Sequence, residues 1–352
     1  MTVYLVVLLL AFFLRFINFN KKDSLLIIFI ALFFVSAFRD SSVGVDTIQY
    51  YQKYMQIGNY GGWNYNQFRY EPGFFYLCKL LNYISHDPQT LLIVTSAFIN
   101  LAVYLFIKKN SENYFLSSII YILFNIYFST MNTLREWIAI SFILFGFNFL
   151  IEKKYFRFSI FLILGICFHT AAWAAILLLF VAVFRERKWI YPVLLLASIV
   201  IFFAYSSFYN FLSSLFGYEN YNNKFIVSNY YGALLLFVES LVLLVILYLY
   251  SYFNGYFTSI IHDKKNSIFL ACSIIYLGFL AIVMRVNLFN RISGFYEVFI
   301  IITIPNLLSK ISVKRDKFVL ELGIIITITT SFLVIGLSRP EWLGCIPYVF
   351  FK

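Results

Sequence analysis

Charged residues are scarce in this sequence, because Asp, Glu, Lys and Arg make up only 12% of its 352 residues. A soluble domain of ordinary composition carries about 25%. Hydrophobic residues make up 62%, and they occur in long runs. The shortage of charge excludes a soluble globular protein, and we expect no nucleic-acid partner. We predict an all-α, polytopic integral membrane protein that contacts the lipid bilayer along most of its length.

Cysteine and histidine are also few, with four Cys and three His in the whole chain. The four Cys are scattered and lack the spacing of a metal site or a disulfide framework. No second histidine lies near His169, so a zinc site is not expected there. We predict neither a metal nor an organic cofactor.

Eleven apolar runs divide the chain. They are Val3–Ile17, Leu25–Phe38, Leu91–Ile107, Tyr114–Met131, Trp137–Ile151, Phe158–Phe184, Ile190–Phe208, Ala233–Phe253, Ile268–Met284, Ile292–Leu308 and Phe318–Leu337. A straight helix needs roughly 20 residues to cross, and the stretch Phe74–Ile84 is too short, so it is predicted to lie at the interface. We predict about 11–13 transmembrane or re-entrant helices in one domain over 1–352. The first run lacks a basic segment and a cleavage site, so we expect a retained span.

Basic residues set the predicted orientation, because cytoplasmic loops are enriched in Lys and Arg. Lysine pairs occur at Lys21-Lys22, Lys108-Lys109, Lys153-Lys154 and Lys264-Lys265. Placing them in the cytoplasm puts the N-terminus outside and leaves external loops at about 39–90 and 209–232. The 27-residue run Phe158–Phe184 fits this alternation if it folds back near His169-Thr170 as two short helices. A single long helix is the alternative.

The external side of this topology holds nine basic residues, six of them arginine. Lysine would serve for positive charge alone, whereas a guanidinium binds phosphate or carboxylate in a fork-like geometry. The arginines that we assign to binding pyrophosphate or sugar are Arg39, Arg69, Arg135, Arg285 and Arg291. The alternative for each one is a single arginine that snorkels to the interface.

Two acids in the first external loop are candidates for a general base. Asp46 follows Gly44, which allows a tight turn. Glu71 precedes Pro72-Gly73, where a helix is predicted to start. Either carboxylate could accept the proton of a sugar hydroxyl, whereas the simpler role for Glu71 is to cap the helix.

His169 interrupts an apolar run, and a histidine at membrane depth is costly unless it has a partner. It is a second candidate for proton transfer, or else a packed polar residue. Glu136 directly follows Arg135, and its simplest interpretation is a charge neighbour of that arginine.

Tyrosine and tryptophan crowd residues 50–83, and a second aromatic segment runs from Tyr209 to Tyr231. Aromatic faces stack on sugar C–H groups, and the amides of the second segment could bond sugar hydroxyls. Both segments are therefore candidates for sugar binding. The competing interpretation is an aromatic belt at the membrane interface.

Together these segments resemble the EpsG/Wzy-type family of bacterial polysaccharide polymerases. The matching stretches are Phe38-Arg39-Asp40, Val43-Gly44-Val45-Asp46-Thr47 with Tyr50, Tyr70-Glu71-Pro72-Gly73-Phe74, Thr133-Leu134-Arg135-Glu136, Phe168-His169-Thr170-Ala171, and Asn290-Arg291-Ile292 through Tyr296. Their order and placement cover almost the whole chain. Glu136 departs from the pattern, in which Gln is expected after the arginine.

The resemblance implies a multi-helix inner-membrane glycosyltransferase that joins oligosaccharides carried on undecaprenyl pyrophosphate into O-antigen, capsule or exopolysaccharide. Its implied partners are that lipid-linked oligosaccharide, a chain-length regulator and a flippase. The resemblance implies roles for these residues: Arg135, Arg285 and Arg291 on the pyrophosphate, Arg39 and Arg69 on phosphate or sugar, Asp46 or Glu71 as the base with His169 as a second candidate for proton transfer, and Tyr50 and Tyr296 in substrate binding.

Two other functions stay open. A flippase for the same lipid-linked sugar also needs a cationic cavity, but it should expose charge to both faces and often has two related halves. No internal repeat is visible here. A glycosyltransferase that uses a polyprenyl monophosphate sugar differs only in its donor.

Overall fold

The computed structural model describes residues 1–216, 230–256, 259 and 262–351. Their secondary structure is helical, apart from turns and an isolated antiparallel bridge between Arg39 and Phe350. The prediction of an all-α, polytopic membrane protein is confirmed. Residues 217–229, most of the second predicted external loop, lie outside the described residues.

The α-helices follow one another with short connections. In chain order they are α1 (Thr2–Phe16), α2 (Lys21–Ala37), α3 (Thr47–Asn59), α4 (Pro72–Asn82), α5 (Gln89–Asn110), α6 (Tyr114–Leu123), α7 (Ile126–Asn132), α8 (Leu134–Ile151), α9 (Tyr155–Phe168), α10 (Leu177–Phe184), α11 (Ile190–Phe203), α12 (Tyr205–Phe216), α13 (Tyr230–Phe253), α14 (Lys264–Val283), α15 (Asn290–Glu297), α16 (Ile300–Ser309) and α17 (Lys314–Ser338). Short 3-10 segments lie at Tyr65–Gln67, Thr170–Ile176, Asn287–Phe289 and Pro340–Trp342.

Five of the described helices are long and apolar enough to cross a membrane, or up to eight if each bent pair counts as one span. The five are Gln89–Asn110, Leu134–Ile151, Tyr231–Phe253, Lys264–Val283 and Lys314–Ser338. Three shorter apolar helices are Thr2–Phe16, Tyr155–Phe168 and Thr170–Phe184.

Three runs that read as continuous in the sequence are bent in the structure. The bend is 52° between α6 and α7, where Asn125 adopts a left-handed conformation with φ +65°. It is 90° between α11 and the first part of α12, and 44° in the pair Asn287–Glu297 and Ile300–Ser309. A local departure from helical dihedrals, such as that of Asn125, interrupts the i to i−4 hydrogen bonds without any change in hydropathy.

Two short helices agree with the sequence. α4 begins at Pro72, whose fixed φ suits the first helical position, and it has 11 residues, too few to cross. The run Phe158–Phe184 is broken at His169 into α9 and the Thr170–Phe184 helix. The break lies where the fold-back was predicted, and a single continuous helix is excluded.

The chain divides into two compact units. The first unit is Met1–Phe149, Phe156–Ala172 and Ile325–Lys352, and the second unit is Leu150–Tyr155 and Trp173–Ile324. In the first unit α2 packs on α5 and α1, while α3 packs on α4. In the second unit α14 is the central helix and packs against α11, α13, α15 and α16.

The C-terminal segment of the first unit lies against the loop between α2 and α3. The Asp40 N–H donates to the Val349 carbonyl, and the Phe351 N–H donates to the Phe38 carbonyl, both at 2.9 Å. Gly44, at φ +103°, forms the predicted turn, and a Cβ there would lie 2.7 Å from the Met131 carbonyl oxygen. The loop is therefore tied both to the last residues of the chain and to α7.

Candidate functional site

The Glu71 side chain does not cap α4, although Glu71 occupies the N-cap position. It makes no side-chain cap hydrogen bond to the helix it precedes. Its carboxylate instead faces the start of α8 and the break after α9. The interpretation of Glu71 as a helix cap is therefore wrong, because the carboxylate has stronger partners in another part of the first unit.

Those partners are a guanidinium, an imidazole and a backbone amide. Glu71 Oε2 forms an ion pair with Arg135 Nη1. Glu71 Oε1 lies 3.1 Å from His169 Nδ1 and accepts a hydrogen bond from the Thr170 N–H at 3.1 Å. The three residues Glu71, Arg135 and His169, predicted separately from the sequence, thus meet in one cluster.

Electrostatics keeps the Glu71 carboxyl ionised. Burial would raise its pKa, but the hydrogen bond from His169 and the positive charge of Arg135 outweigh burial and lower that pKa to about 2. An ionised carboxylate accepts hydrogen bonds and cannot donate them, so His169 Nδ1 is the donor. Glu71 is therefore a weak base that fixes the orientation of the imidazole.

Close backbone packing brings Glu71 to His169. A Cβ on Gly73 would lie 2.6 Å from the carbonyl oxygen of Cys167 and 2.9 Å from the Phe168 ring. The first turn of α4 can approach the last turn of α9 this closely because Gly73 has no side chain. The Glu71-Pro72-Gly73 sequence thus combines a functional side chain, a helix start and a close contact.

Glu136 is a member of the cluster that the sequence interpretation did not include. Its Oε2 lies 4.0 Å from His169 Nε2, and only 9% of its side chain is exposed. Adjacent residues on a helix point in different directions, so Glu136 faces His169 while Arg135 faces Glu71. The departure from the Gln expected at this position was the one signal that singled it out.

Arg135 is enclosed by aromatic rings. Its guanidinium carbon lies 4.4 Å from the centre of the Tyr70 ring, and the hydroxyl of the buried Tyr50 interacts with it. Burial raises the pKa of Tyr50 to about 12, so its hydroxyl stays protonated. The Arg135 side chain is 18% exposed, against 5% for His169 and 12% for Glu71. It is thus the most accessible of these three groups.

Asp46 and Arg69 lie, like Glu71, in the part of the first unit between α2 and α4. Asp46 precedes α3 without a side-chain cap hydrogen bond, and its charge acts on the Tyr50 and Tyr70 hydroxyls. It therefore borders the aromatic side of Arg135. Arg69 is exposed to solvent.

Arg39 is buried and bound to its own chain. It has no exposed surface, and its guanidinium donates to the Ser36 carbonyl and, at 3.5 Å, to the Met131 carbonyl and the Ser96 hydroxyl. The bridge to Phe350 covers it further. These contacts give Arg39 a structural role in holding α2, α5 and α7 together.

The remaining predicted residues belong to the second unit. Arg285 is exposed and lies over the Phe202 ring at 5.4 Å from its centre. Arg291, half-buried, is in the first turn of α15. Tyr296 is fully buried, donates to the Ala174 carbonyl and stacks on Phe279, so its visible contacts are those of a core residue.

The cluster of Glu71, Arg135, Glu136 and His169 combines groups that can hold an anion and move a proton. Among the described residues no group of three or more His, Cys, Asp or Glu has the arrangement to hold a metal ion. A partly exposed arginine can bind a phosphate, while an imidazole held by one carboxylate and facing another can accept a proton.

Comparisons with known proteins place these residues in one family. The EpsG family matches residues 22–350, a range that includes every member of the cluster and nearly the whole chain. No curated protein and no solved structure matches the chain. The chain belongs to the EpsG family.

Proposed function

We propose that this protein is a polysaccharide repeat-unit polymerase. It joins oligosaccharides carried on undecaprenyl pyrophosphate at the external face of the bacterial inner membrane, with its N-terminus outside. Membership of the EpsG family supports a polysaccharide-polymerase type of function in general. The observation that carries the proposal is the buried contact of Arg135, Glu71 and His169 in a chain otherwise poor in charge.

The reaction needs a cation on the leaving group. The hydroxyl oxygen of the acceptor oligosaccharide forms a bond to the anomeric carbon of the donor, and the bond from that carbon to the pyrophosphate oxygen breaks. The electron pair leaves with the undecaprenyl pyrophosphate. Arg135 supports this role because it is the most accessible residue of Glu71, Arg135 and His169, and its charge would stabilise the developing anion.

The reaction also needs a base for the acceptor hydroxyl. Of the three candidates Asp46, Glu71 and His169, the geometry favours His169, because Glu71 is held ionised and already accepts from Nδ1. His169 Nε2 would take the proton, and Glu136 at 4.0 Å would stabilise the resulting imidazolium. Glu71 then acts by holding the ring in position.

Aromatic rings on α4 and the preceding loop offer a surface for sugars. Trp63 stacks with Tyr76 and with Tyr83, each at 6.2 Å between ring centres, and 49% of Trp63 and 73% of Tyr83 are exposed. The Lys79 ammonium lies 5.9 Å from the centre of the Trp63 ring. This surface belongs to the same short helix that Glu71 precedes, which suits the acceptor end of a saccharide.

Deletion of the gene in its own host tests the proposal. The extracted lipopolysaccharide or capsule is separated on a gel, and the deletion strain is complemented with the wild-type gene. A polymerase predicts loss of the long-chain ladder with a band of one repeat retained. Complementation restores the ladder.

A flippase and a glycosyltransferase that acts before the repeat is complete each predict a different band pattern on the gel. A flippase predicts loss of every repeat-bearing band, with lipid-linked oligosaccharide trapped on the cytoplasmic side. An earlier glycosyltransferase predicts that the complete lipid-linked repeat does not form at all. Either result would overturn the polymerase assignment.

A further inference from the structure

Three segments of the second unit meet at one exposed carboxylate, far along the chain from the cluster described above. Glu186, in the turn between α10 and α11, forms ion pairs with Lys153 at 3.4 Å and with Lys264 at 3.8 Å. Lys153 lies in the turn between α8 and α9, and Lys264 is the first residue of α14. Because their side chains are in contact, the three segments lie on one side of the membrane.

A buried arginine fixes two of these segments to each other. Arg185 is 3% exposed, and its guanidinium donates to the Ile151 carbonyl at 2.9 Å and to the Leu150 carbonyl at 3.5 Å. Both carbonyls belong to the last turn of α8, where they have no partner within the helix itself. The turn that carries Lys153 and the turn that carries Glu186 therefore have a defined arrangement.

Positive charge is in excess where the segments meet. Seven basic and three acidic residues lie in the segments 152–154, 185–188 and 263–265, which we call the basic patch. Each acid is already paired with a lysine, and the pairs are Glu152–Lys154, Glu186–Lys153 and Asp263–Lys310. Exposed ion pairs contribute little to stability, so the lysines of the patch can exchange a carboxylate for another anion.

Exposed apolar side chains lie next to this excess charge. Trp189 directly follows Lys188, and 44% of it is exposed, while its ring packs on Phe184 at 5.1 Å between ring centres. Val183 on α10 and Val193 on α11 are also exposed. Tryptophan is enriched where lipid meets water, so Trp189 marks the depth of the lipid headgroups. A soluble anion would cover the basic residues alone, whereas an amphiphile would cover the apolar residues as well.

We propose that the basic patch binds the headgroup of an anionic phospholipid, a phosphodiester such as phosphatidylglycerol. Lys153, Lys264, Arg187 and Lys188 supply the positive charge for the phosphate, and Trp189 supplies apolar surface for the first part of an acyl chain. The lipid then joins the three segments from the membrane side. The proposal does not rest on the polymerase function, because it depends only on the second unit.

Lipid binding by the purified full-length protein in detergent tests this site. Phosphatidylglycerol or the zwitterionic phosphatidylethanolamine is titrated into the protein, and native mass spectrometry measures the fraction of protein that retains lipid. We expect a preference of the wild-type protein for phosphatidylglycerol, which falls as the ionic strength rises. Arg187→Gln combined with Lys188→Gln should lower the affinity for phosphatidylglycerol about 30-fold, since each charge near an anionic headgroup contributes roughly 5-fold.

Two further variants separate the patch from a general effect of charge. Lys21→Gln combined with Lys22→Gln removes two exposed lysines at the start of α2 and should leave the affinity unchanged. Glu186→Gln removes the carboxylate that competes for Lys153 and Lys264, so it should raise the affinity roughly 5-fold. This variant keeps every basic residue, and it tests the site even if the Arg187 and Lys188 variant fails to fold.

Four outcomes would overturn the proposal. Equal retention of both lipids by the wild-type protein would exclude a site for anionic headgroups. Equal losses of affinity in the two double variants would make total charge the cause of binding. Full competition by glycerol 3-phosphate at the concentration of the lipid would identify a site for soluble anions. A lower affinity of Glu186→Gln, together with a lower unfolding temperature, would leave the ion pairs of Glu186 with a structural role alone.

Discussion

Arg39 and Arg135 are both largely buried arginines in the first unit, and each is followed directly by an acid, yet their surroundings differ. Arg39 has no exposed surface and donates to backbone carbonyls and one serine. Arg135 pairs with a carboxylate, lies over a tyrosine ring and keeps part of its side chain exposed. Carbonyl partners fix a fold, whereas an ion pair that reaches the surface can exchange its partner for a substrate phosphate.

The largest effect is expected for Arg135→Ala. Removal of one group that stabilises transition-state charge lowers a rate by roughly 10²–10³-fold. The complemented deletion strain should therefore lose the long-chain ladder while the protein remains in the membrane at a normal level. Arg157→Ala, which removes an exposed arginine that lies over the Phe149 ring, is the control and should keep the ladder. A normal ladder with Arg135→Ala would remove this residue from the reaction.

Arg39→Ala should act on stability. The carbonyls of Ser36 and Met131 would lose a charged donor in a buried place, at a cost of about 3 kcal/mol. We expect a lower unfolding temperature of the detergent-solubilised protein and less protein in the membrane. If Arg39→Ala abolished the ladder while the unfolding temperature stayed unchanged, Arg39 would have a role in substrate binding. The contrast between Arg39 and Arg135 would then be wrong.

Gly73→Ala tests the close approach of α4 to α9. The added methyl would overlap the Cys167 carbonyl and force Glu71 away from His169. We expect roughly a 10-fold or greater loss of polymer, since small displacements of reacting groups are costly. Gly61→Ala, in the loop that precedes α4, is the matched control, because a Cβ there meets nothing within 4 Å. Equal activity of the two variants would show that the contact is not needed.

The pH dependence of the stability of Glu71→Gln tests the ion pair between Glu71 and Arg135. The folded protein lowers the pKa of Glu71 to about 2 from an ordinary 4.5, so ionised Glu71 contributes stability above pH 4.5. That contribution is lost as the pH falls from 4.5 towards 2. The difference in unfolding temperature between wild type and Glu71→Gln should therefore be constant near neutrality and vanish in strong acid. A difference that grows with acidity would contradict the ion pair.

The smallest effect is expected for Glu136→Gln. The amide keeps the size and hydrogen-bonding capacity of the side chain beside His169, and Gln is the residue expected from the family resemblance. We expect less than about a 10-fold change in polymer, together with a shift in the pH dependence of polymer formation. An unchanged pH dependence would mean that Glu136 does not act on the imidazole.

Local features of this chain followed from the sequence, and contacts between distant segments did not. Pro72 predicts the start of α4, Gly44 predicts a turn, and the length of the run around His169 predicts its break. Each depends on the conformational limits of a few neighbouring residues. The meeting of Glu71 with His169, by contrast, depends on Gly73 packing against Cys167, and neither hydropathy nor charge records that contact.

Arg39 and Glu136 show the same limit. Nothing in Phe38-Arg39-Asp40 indicates that the last residues of the chain cover it, because the bridge joins positions 39 and 350. Glu136 follows Arg135 in sequence, so adjacency suggested a local pair, whereas helical geometry turns the two side chains to different partners. For Arg39 and Glu136, neighbours in the sequence did not predict which groups the side chains contact in the structure.

The path of the C-terminal segment has a consequence for biogenesis. The ribosome delivers helices α1 to α9 early, but the residues that pair with Phe38 and Asp40 are translated only after the entire second unit. The first unit therefore cannot reach its final structure while α1 to α9 insert, and the backbone around Arg39 stays uncovered until Val349 and Phe351 have been made. A stop codon before Val349 should then send the protein to membrane quality control, because the backbone groups of Phe38 and Asp40 would stay unpaired.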